Sequence, residues 1–542
     1  MMVQKKSDVV ILGGGLAGLT LSLQLKQRMP ELDITVIERQ PHPVPHATHK
    51  VGESSVEIGA HYFDKILGLK KHLDEAQLKK FGFRFFFSEG SRDLASVTEL
   101  GASRVLPTPS YQLDRGIFEN ELANMAQQKG IRFVDDAVIR SFDISEGPSD
   151  HQVRYDVNGE SHTIQSRWLC DASGRAGLIK RKLGLAETNS HDANAVWFRM
   201  SDRIDVNDWS TDEEWLDRCK PRTRWLSTNH LVGEGYWAWL IPLSSGSHSV
   251  GIVADAKLHP LDQMNTFDKA MAWFKSHQPQ LFDVLDKQRE KLQDFAFFKH
   301  FSYSCKKVYS GAHRWAITGE AGVFLDPFYS PGSDFIAISN TFVTELIFID
   351  RAEGATAMMA EVYEQIYFSL YDNMLTLYQD QYKIFGDPEV LPIKVLWDYT
   401  YYWGVMCQLF FQNKLVDVVI MARMRTKLAT IQDLNNEMQR YFRQWNQVSA
   451  KRNPAQMLDQ ASLPWFAKLN KELRDELSTE AFMLRIDQQL LQLHAVAAEI
   501  VIESQRDYPM LNAQALLDLI DGDVFETAQQ SDGQFLFATA TQ

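Results

Sequence analysis

The sequence predicts an α/β fold that opens on a parallel βαβ unit, carries an inserted β-sheet and finishes in a helical domain. Three observations lead there. Val9-Val10-Ile11-Leu12 is an apolar run that breaks into Gly13-Gly14-Gly15 and restarts at Leu16 with helical spacing. Trp237-Ala238-Trp239-Leu240-Ile241-Pro242 and His248-Ser249-Val250-Gly251-Ile252-Val253 have strand composition far from that opening. Beyond roughly Thr341 the pattern is almost wholly helical, with amphipathic stretches such as Asn413 to Trp445. At 542 residues, 45% apolar and 23% charged, the chain is globular and too long for one core.

Taken in order, Gly13, Gly15 and Gly18 have the G-x-G-x-x-G spacing in which the first glycine makes a turn, the second admits a pyrophosphate and the third packs helix on strand. Asp33-Ile34-Thr35-Val36-Ile37-Glu38 is a second strand that ends in an acid, Glu38, where a ribose hydroxyl would be held. Apolar spacing turns helical from Val56 to Leu78, and Phe81 to Phe87 reads as an aromatic strand. Asp114-Arg115 opens a helix through about Gln128, and Asn158-Gly159 is a hairpin turn signal. Residues 1–190 form the first part of the dinucleotide module, 191–300 the inserted sheet, 301–345 a return segment and 346–542 a C-terminal helical domain.

The net charge of −14 argues against nucleic acid, which needs a concentrated basic surface. Cys170, Cys219, Cys305 and Cys407 form no C-x-x-C pair, so neither a zinc site nor a disulfide framework is expected. His42, His46, His49 and His61 lack metal-ligand spacing, and no metal is expected. Met1 to Lys6 lead directly into the first strand, and the most membrane-like stretch, Val395 to Phe411, contains Asp398 and reads as a buried helix. The expectation is a cytoplasmic protein with no membrane span.

Gly13 to Gly18, Asp171 to Arg175 and Gly319 to Asp326 share one form, an apolar strand ending in small residues. Strand ends of an open α/β sheet meet at one crevice, so the three pieces are suited to line one extended cofactor. At this point the sequence resembles the flavin-dependent monooxygenases and, within them, the flavin-dependent halogenases. Trp237-Ala238-Trp239-Leu240-Ile241-Pro242 matches the W-x-W-x-I-P signature, Lys50-Val51-Gly52-Glu53-Ser54-Ser55 resembles the loop beside the isoalloxazine, and Lys80 followed by Phe81-Gly82-Phe83-Arg84-Phe85 resembles the segment with an essential lysine. Gly319-Glu320-Ala321-Gly322, Asp326-Pro327 and Ser330-Pro331-Gly332-Ser333 stand in the place of the flavin and halide loops.

The resemblance implies FAD, used as FADH2 from a separate NAD(P)H flavin reductase, together with O2 and chloride or bromide. It places the cofactor on Gly13, Gly15, Ala17, Gly18, Glu38, Lys50, Gly52, Glu53, Ser54, Arg115, Asp171, Gly319, Glu320 and Gly332, and the halide on Gly332 and Ser333. It implies that Trp237, Trp239, Ile241 and Pro242 wall the flavin chamber, so that only small hypohalous acid passes on to Lys80, with Lys79 as the competing lysine. On periodicity alone the same tryptophans also describe a half-buried edge strand.

Three positions depart from the family pattern. Tyr329 stands where tryptophan-specific members have a glutamate, which points to a phenol or pyrrole, free or tethered to a carrier protein. Pro331 has no N–H to offer an anion, and Glu320 replaces the more usual aspartate. Two other readings stay open: an aromatic hydroxylase or dehydrogenase on the same fold, and a catalytically silent flavin-binding partner in a biosynthetic complex. The aromatic stretch Trp397 to Gly404 is either core or the roof of a substrate pocket beyond the lysine.

Overall fold

The computed structural model describes residues 5–46, 52–147, 149–531 and 535–537. The chain divides into two compact units, each assembled from three separate segments.

The first unit comprises Met1–Gln77, Leu113–Ser190 and Phe301–Tyr371. Its sheet runs in the order Tyr309–Ser310, Trp315–Ile317, Glu160–Asp171, Lys5–Leu12, Ile34–Ile37, Arg132–Val134. The pairings from Trp315–Ile317 across to Arg132–Val134 are all parallel, as a βαβ opening requires. Buried on both faces, Val9 to Leu12 need the continuous apolar run that the sequence provides. Asn158 (φ +52°) and Gly159 (φ +77°) turn the expected hairpin between His151–Val157 and Glu160–Asp171. Helix Leu16–Arg28 packs beside helix Gly332–Arg351. Asn340, buried midway along the second helix, donates to the Ala17 carbonyl at 3.2 Å, Thr20 Oγ1 at 3.0 Å and Tyr62 Oη at 3.2 Å. Among the described residues Gly332–Arg351 is the one helix long and apolar enough to cross a membrane, and 72% of its most apolar window is buried inside the protein.

The second unit comprises Leu78–Gln112, His191–His300 and Asp372–Gln542. Its eight-stranded sheet runs Leu292–Phe298, Ala193–Met200, His248–Asp255, Tyr236–Pro242, Thr228–Gly233, Phe83–Phe86, Glu99–Gly101, Met457–Asp459. The tryptophan strand is therefore central, between Thr228–Gly233 and His248–Asp255, and every residue in it is buried. A half-buried edge strand is excluded, because this one is paired along both sides and covered on both faces. Tyr236, Ala238 and Leu240 join a core with Met271 and Phe274 of helix Phe267–His277 and Leu281 of helix Pro279–Asp286. The opposite face carries Trp237 and Trp239.

The aromatic strand Phe83–Phe86 pairs in parallel with Thr228–Leu231, so residues 78–112 sit with the inserted sheet, whereas the sequence segmentation kept them with the first module. Helix Val390–Tyr401 continues as Tyr402–Cys407 in a wider π-helical winding and then as Gln408–Phe411. Inside the unit its Lys394 pairs with Asp398, whose Oδ1 accepts from Gln439 Nε2 at 2.7 Å.

Asp387 caps the start of that helix. Its Oδ1 accepts from the N–H groups of Glu389 at 3.0 Å and Val390 at 3.2 Å and from Ser449 Oγ at 3.0 Å. Burial, the largest cause, pushes its carboxyl up from 3.8 to about 6. The folded value lies above the unfolded one, so the stabilisation from holding the proton is complete below about pH 4 and is lost as pH rises through about 6, a difference of about 3 kcal/mol. Asp387→Asn keeps an accepting oxygen but cannot ionise. Its thermal midpoint relative to wild type is expected to rise between pH 4 and 8, and parallel pH profiles would contradict the assignment.

Candidate active site

In the first unit three strand ends lie side by side. Leu12 is in register with Ile37 on one side and Asp171 on the other, and Asp171 with Ile317. The three small-residue turns expected from sequence thus leave the sheet along one edge. Their approach is closer than any side chain would allow. A Cβ on Gly13, whose φ is +108°, would stand 2.4 Å from the Ala172 carbonyl oxygen, and one on Gly18 would stand 2.0 Å from the Gly13 oxygen. Gly319 (φ +62°) meets Ala17 in the same way, at 2.9 Å.

Gly15 is different: a Cβ there would meet nothing within 4 Å. It precedes helix Leu16–Arg28, whose N-terminus has no side-chain cap and no acid in its first turn. Open space in front of uncapped N–H groups suits a phosphate. Glu38 closes the side of this loop, accepting from Gly14 N–H at 2.6 Å and Gln40 N–H at 2.7 Å. These residues fit a dinucleotide.

The other predicted cofactor residues fall into distinct settings. Asp171 is fully buried: Oδ1 accepts from Ser173 N–H at 3.0 Å and Oγ at 2.6 Å, and Oδ2 from Ile179 N–H at 2.6 Å, so its carboxylate shapes the turn. Burial pushes its carboxyl up, against these hydrogen bonds. Glu320 lies 3.2 Å from Arg175 Nε. The Gly52 carbonyl accepts from Arg115 Nη1 at 3.4 Å, and Arg115, first residue of helix Arg115–Gln128, also bonds Glu119 at 2.6 Å. The neighbouring Glu53 carbonyl accepts from Leu113 N–H at 2.6 Å. Glu53 and Ser54 are buried. Lys50 lies outside the described residues.

Pro331 is the N-cap of helix Gly332–Arg351, and its carbonyl accepts from Asp334 N–H at 3.1 Å and Phe335 N–H at 3.0 Å. A missing N–H at that place takes nothing from the helix, and the N–H groups of Gly332 and Ser333 remain the first-turn donors. No side chain caps them. Ser333 Oγ is buried without a hydrogen-bond partner among the described residues, whereas Asp334 Oδ1 is taken up by Gly59 N–H at 2.8 Å. Tyr329 is buried, its ring edge-on to Phe328.

In the second unit the short pairing of Leu78–Lys79 with Tyr111–Gln112 separates the two lysines. Lys79 is exposed. Lys80 is buried, its N–H bonds the Ser110 carbonyl at 2.9 Å, and its Nζ lies 3.4 Å from the centre of the Phe83 ring. Phe83 is also 6.3 Å from Tyr399, which with Trp403 and Phe466 forms an aromatic group on the C-terminal helices. Trp237 and Trp239 lie 5.6 Å apart, Trp237 Nε1 donates to Tyr382 Oη at 3.2 Å, and Trp239 Nε1 to Ser249 Oγ at 3.1 Å. Behind Phe83 and Phe85, Arg84 pairs with Glu99, which also accepts from Arg224 Nε at 2.8 Å; all three are fully buried.

An FAD binding domain model matches residues 6–270. A flavin-dependent halogenase of Dictyostelium discoideum is 25% identical over 474 residues, covering 79% of this chain and 76% of that one. The chain is thus similar to flavin-dependent halogenases. A 1H-pyrrole-2-carbonyl peptidyl-carrier-protein brominase of Pseudoalteromonas luteoviolacea is likewise 25% identical, over 338 residues, 61% of this chain and 74% of the brominase. Among solved structures, a halogenase in complex with phloroglucinol and FAD matches with a TM-score of 0.64 at 16% identity, covering 91% of this chain and 96% of that one. A flavoprotein/dehydrogenase of Cytophaga hutchinsonii matches at 0.55 and 19% identity, covering 72% and 91%. Both likenesses carry the fold.

Sequence reasoning missed Asn340, which bonds the start of helix Leu16–Arg28, and His230 and Tyr382, which lie against Trp237. Asn340 was findable as a polar residue inside an apolar helix. His230 sits in a strand whose signal, Thr228 to Val232 before the Gly233-Glu234-Gly235 turn, is brief.

Gly15 and Gly18 separate binding from folding. Gly15→Ala is expected to leave the unfolding free energy of the flavin-free protein within about 0.5 kcal/mol of wild type and to weaken FAD binding about tenfold or more, measured by quenching of flavin fluorescence. Gly18→Ala is expected to lower the melting temperature itself. Glu99→Ala, which strands two buried guanidinium groups, is expected to cost about 3–5 kcal/mol in denaturant unfolding.

Proposed function

We propose that this chain halogenates an electron-rich aromatic substrate, a phenol or a pyrrole, free or carrier-tethered, using FADH2 from a separate reductase, O2 and chloride or bromide. The observation that carries this reading is the buried ammonium of Lys80 against Phe83, in a relative of the flavin-dependent halogenases. FAD, when bound, supplies the chemistry that turns halide and oxygen into hypohalous acid. Gly15 and the helix start behind it bind the pyrophosphate, and Glu38 the ribose. Gly332 and Ser333 offer first-turn N–H groups to the halide. Lys80 donates a hydrogen bond from Nζ to the oxygen of the hypohalous acid, which polarises the halogen toward an aromatic carbon. The aromatic residues around it favour a flat substrate and keep water away from the reacting oxygen. Support for the substrate class comes from Tyr329, which leaves no carboxylate to activate an indole, and from the relatives named for carrier-bound pyrroles.

The test is incubation with FAD, a flavin reductase, NADH, bromide and a panel of phenols, pyrroles and indoles. Brominated phenol or pyrrole is the expected product. Hydroxylated but never halogenated product would assign the hydroxylase reading instead, and flavin oxidation with no modified substrate the silent partner. Lys80→Ala is expected to remove about 99% or more of the product while flavin oxidation continues. Lys79→Ala is expected to change little. Ser333→Ala, which removes a buried hydroxyl and keeps the N–H, is expected to raise the bromide concentration needed for half-maximal rate by several-fold.

A further inference from the structure

We propose that His230 accepts the proton that the aromatic substrate loses when it is halogenated at Lys80. The inference rests on the halogenation reading and adds to it a residue that no part of that reading uses. In the parallel register His230 stands opposite Phe85, and across the adjoining antiparallel pair it stands opposite Trp239. Its ring stacks on Phe85 at 4.7 Å with planes 14° apart, and lies 5.2 Å from Trp237 and 5.4 Å from Phe83. Lys80 Nζ is 3.4 Å from the centre of that same Phe83 ring. An ammonium and an imidazole therefore share one aromatic neighbour.

His230 is 1% exposed on a face otherwise built of phenylalanine and tryptophan rings. Backbone hydrogen bonds to Arg84 and Thr228 hold the ring in place among them. Burial, first, and the charge of Lys80, second, hold the imidazole well below its usual range, partly offset by the backbone of Arg84 and Thr228. On the strand packed beside it, the charge of Arg84 is engaged by Glu99. The ring is thus neutral at neutral pH and carries a lone pair. Such an imidazole is a weak base, but the halogenated ring cation is a far stronger acid than an imidazolium, so a weak base suffices.

The protons balance. A ring carbon donates a pair to the halogen of hypohalous acid, the oxygen–halogen bond breaks, and the departing hydroxide takes a proton from the Lys80 ammonium to become water. The carbon that now bears both hydrogen and halogen gives its proton to His230, and the C–H pair restores the aromatic ring. The imidazolium then returns a proton to the Lys80 amine. The sum is aromatic C–H plus hypohalous acid giving aromatic C–halogen plus water, with both side chains as they began.

The experiment is single-turnover bromination by the FAD-loaded protein, with reductase, NADH and bromide, of whichever panel phenol or pyrrole the wild type brominates, protiated and deuterated at the brominated carbon. For the wild type, proton loss is fast and the isotope effect is expected near 1. In His230→Gln and His230→Phe it is expected to rise to about 2 or more, with product per flavin oxidised falling about tenfold or more, while FAD binding and flavin oxidation stay unchanged. Unchanged yield, or lost yield with an isotope effect still near 1, overturns the proposal, the second outcome marking a structural residue. Imidazole nitrogen and carbon shifts in the NMR spectrum of the wild type provide a readout apart from turnover: a neutral ring at pH 7 is expected, an imidazolium overturns the proposal, and this decides the matter if neither variant folds. Should the wild type brominate nothing in the panel, the halogenation reading fails and takes this proposal with it. Bromination by the wild type with no isotope effect in either variant removes His230 alone.

Discussion

The first unit depends on one contact between backbones. Helix Leu16–Arg28 comes so near the turn before it that the Gly13 carbonyl occupies the space of any side chain at Gly18. That approach seats the helix on the sheet with its N-terminus open at Gly15, which is what a pyrophosphate needs. Two further elements are set by the same seating. Gly319 touches Ala17 on the helix, and Asn340 reads the helix backbone at the Ala17 carbonyl. The third strand end and the long helix Gly332–Arg351 are thereby referred to the same turn of helix as the glycine loop.

The second unit solves a different problem, the burial of polar chemistry inside an aromatic surface. Its sheet has two covered faces with unlike duties: one is aliphatic and aromatic core against helices Phe267–His277 and Pro279–Asp286, the other holds Lys80, His230 and the tryptophans. A buried ammonium is unfavourable unless its surroundings compensate. The π face of Phe83 provides part of that, and Arg84 is drawn off by Glu99, so that its charge is not added to that of Lys80 without a partner. The Arg84, Glu99 and Arg224 cluster fixes the strand that carries Phe83 and Phe85, and so fixes where the lysine rests.

How much of this was legible in the sequence follows from how local each signal is. The glycine loop, Glu38 and the Asn158-Gly159 hairpin are set by neighbours within a few dozen residues, and each was readable. Residues 78–112 were placed with the wrong neighbours, because the partner of Phe83–Phe86 is Thr228–Leu231, distant in sequence and paired in parallel. Nothing in the local alternation of Phe83, Phe85 and His230 states that they will meet. The distinction between Lys79 and Lys80 was equally hidden, since a two-residue strand pairing with Tyr111–Gln112 decides which of two adjacent side chains turns inward. At Pro331 the sequence pointed to a weakened anion site. In the structure the proline is the cap, where a missing N–H is no loss, and the two donors after it are unaffected.

The W-x-W-x-I-P strand is usually read as a string of its own residues, yet its second ring depends on an empty place in the next strand. Trp239 lies across from Gly251, and the atoms of its indole stand 2.2 Å from where a Cβ there would be; on the other side of Gly251, in register, is Trp197. A glycine flanked by two indoles works as a slot cut to the thickness of a ring. Tryptophan and slot form one packing unit, so a chain that keeps both tryptophans of the motif but fills the slot has to seat the second ring elsewhere.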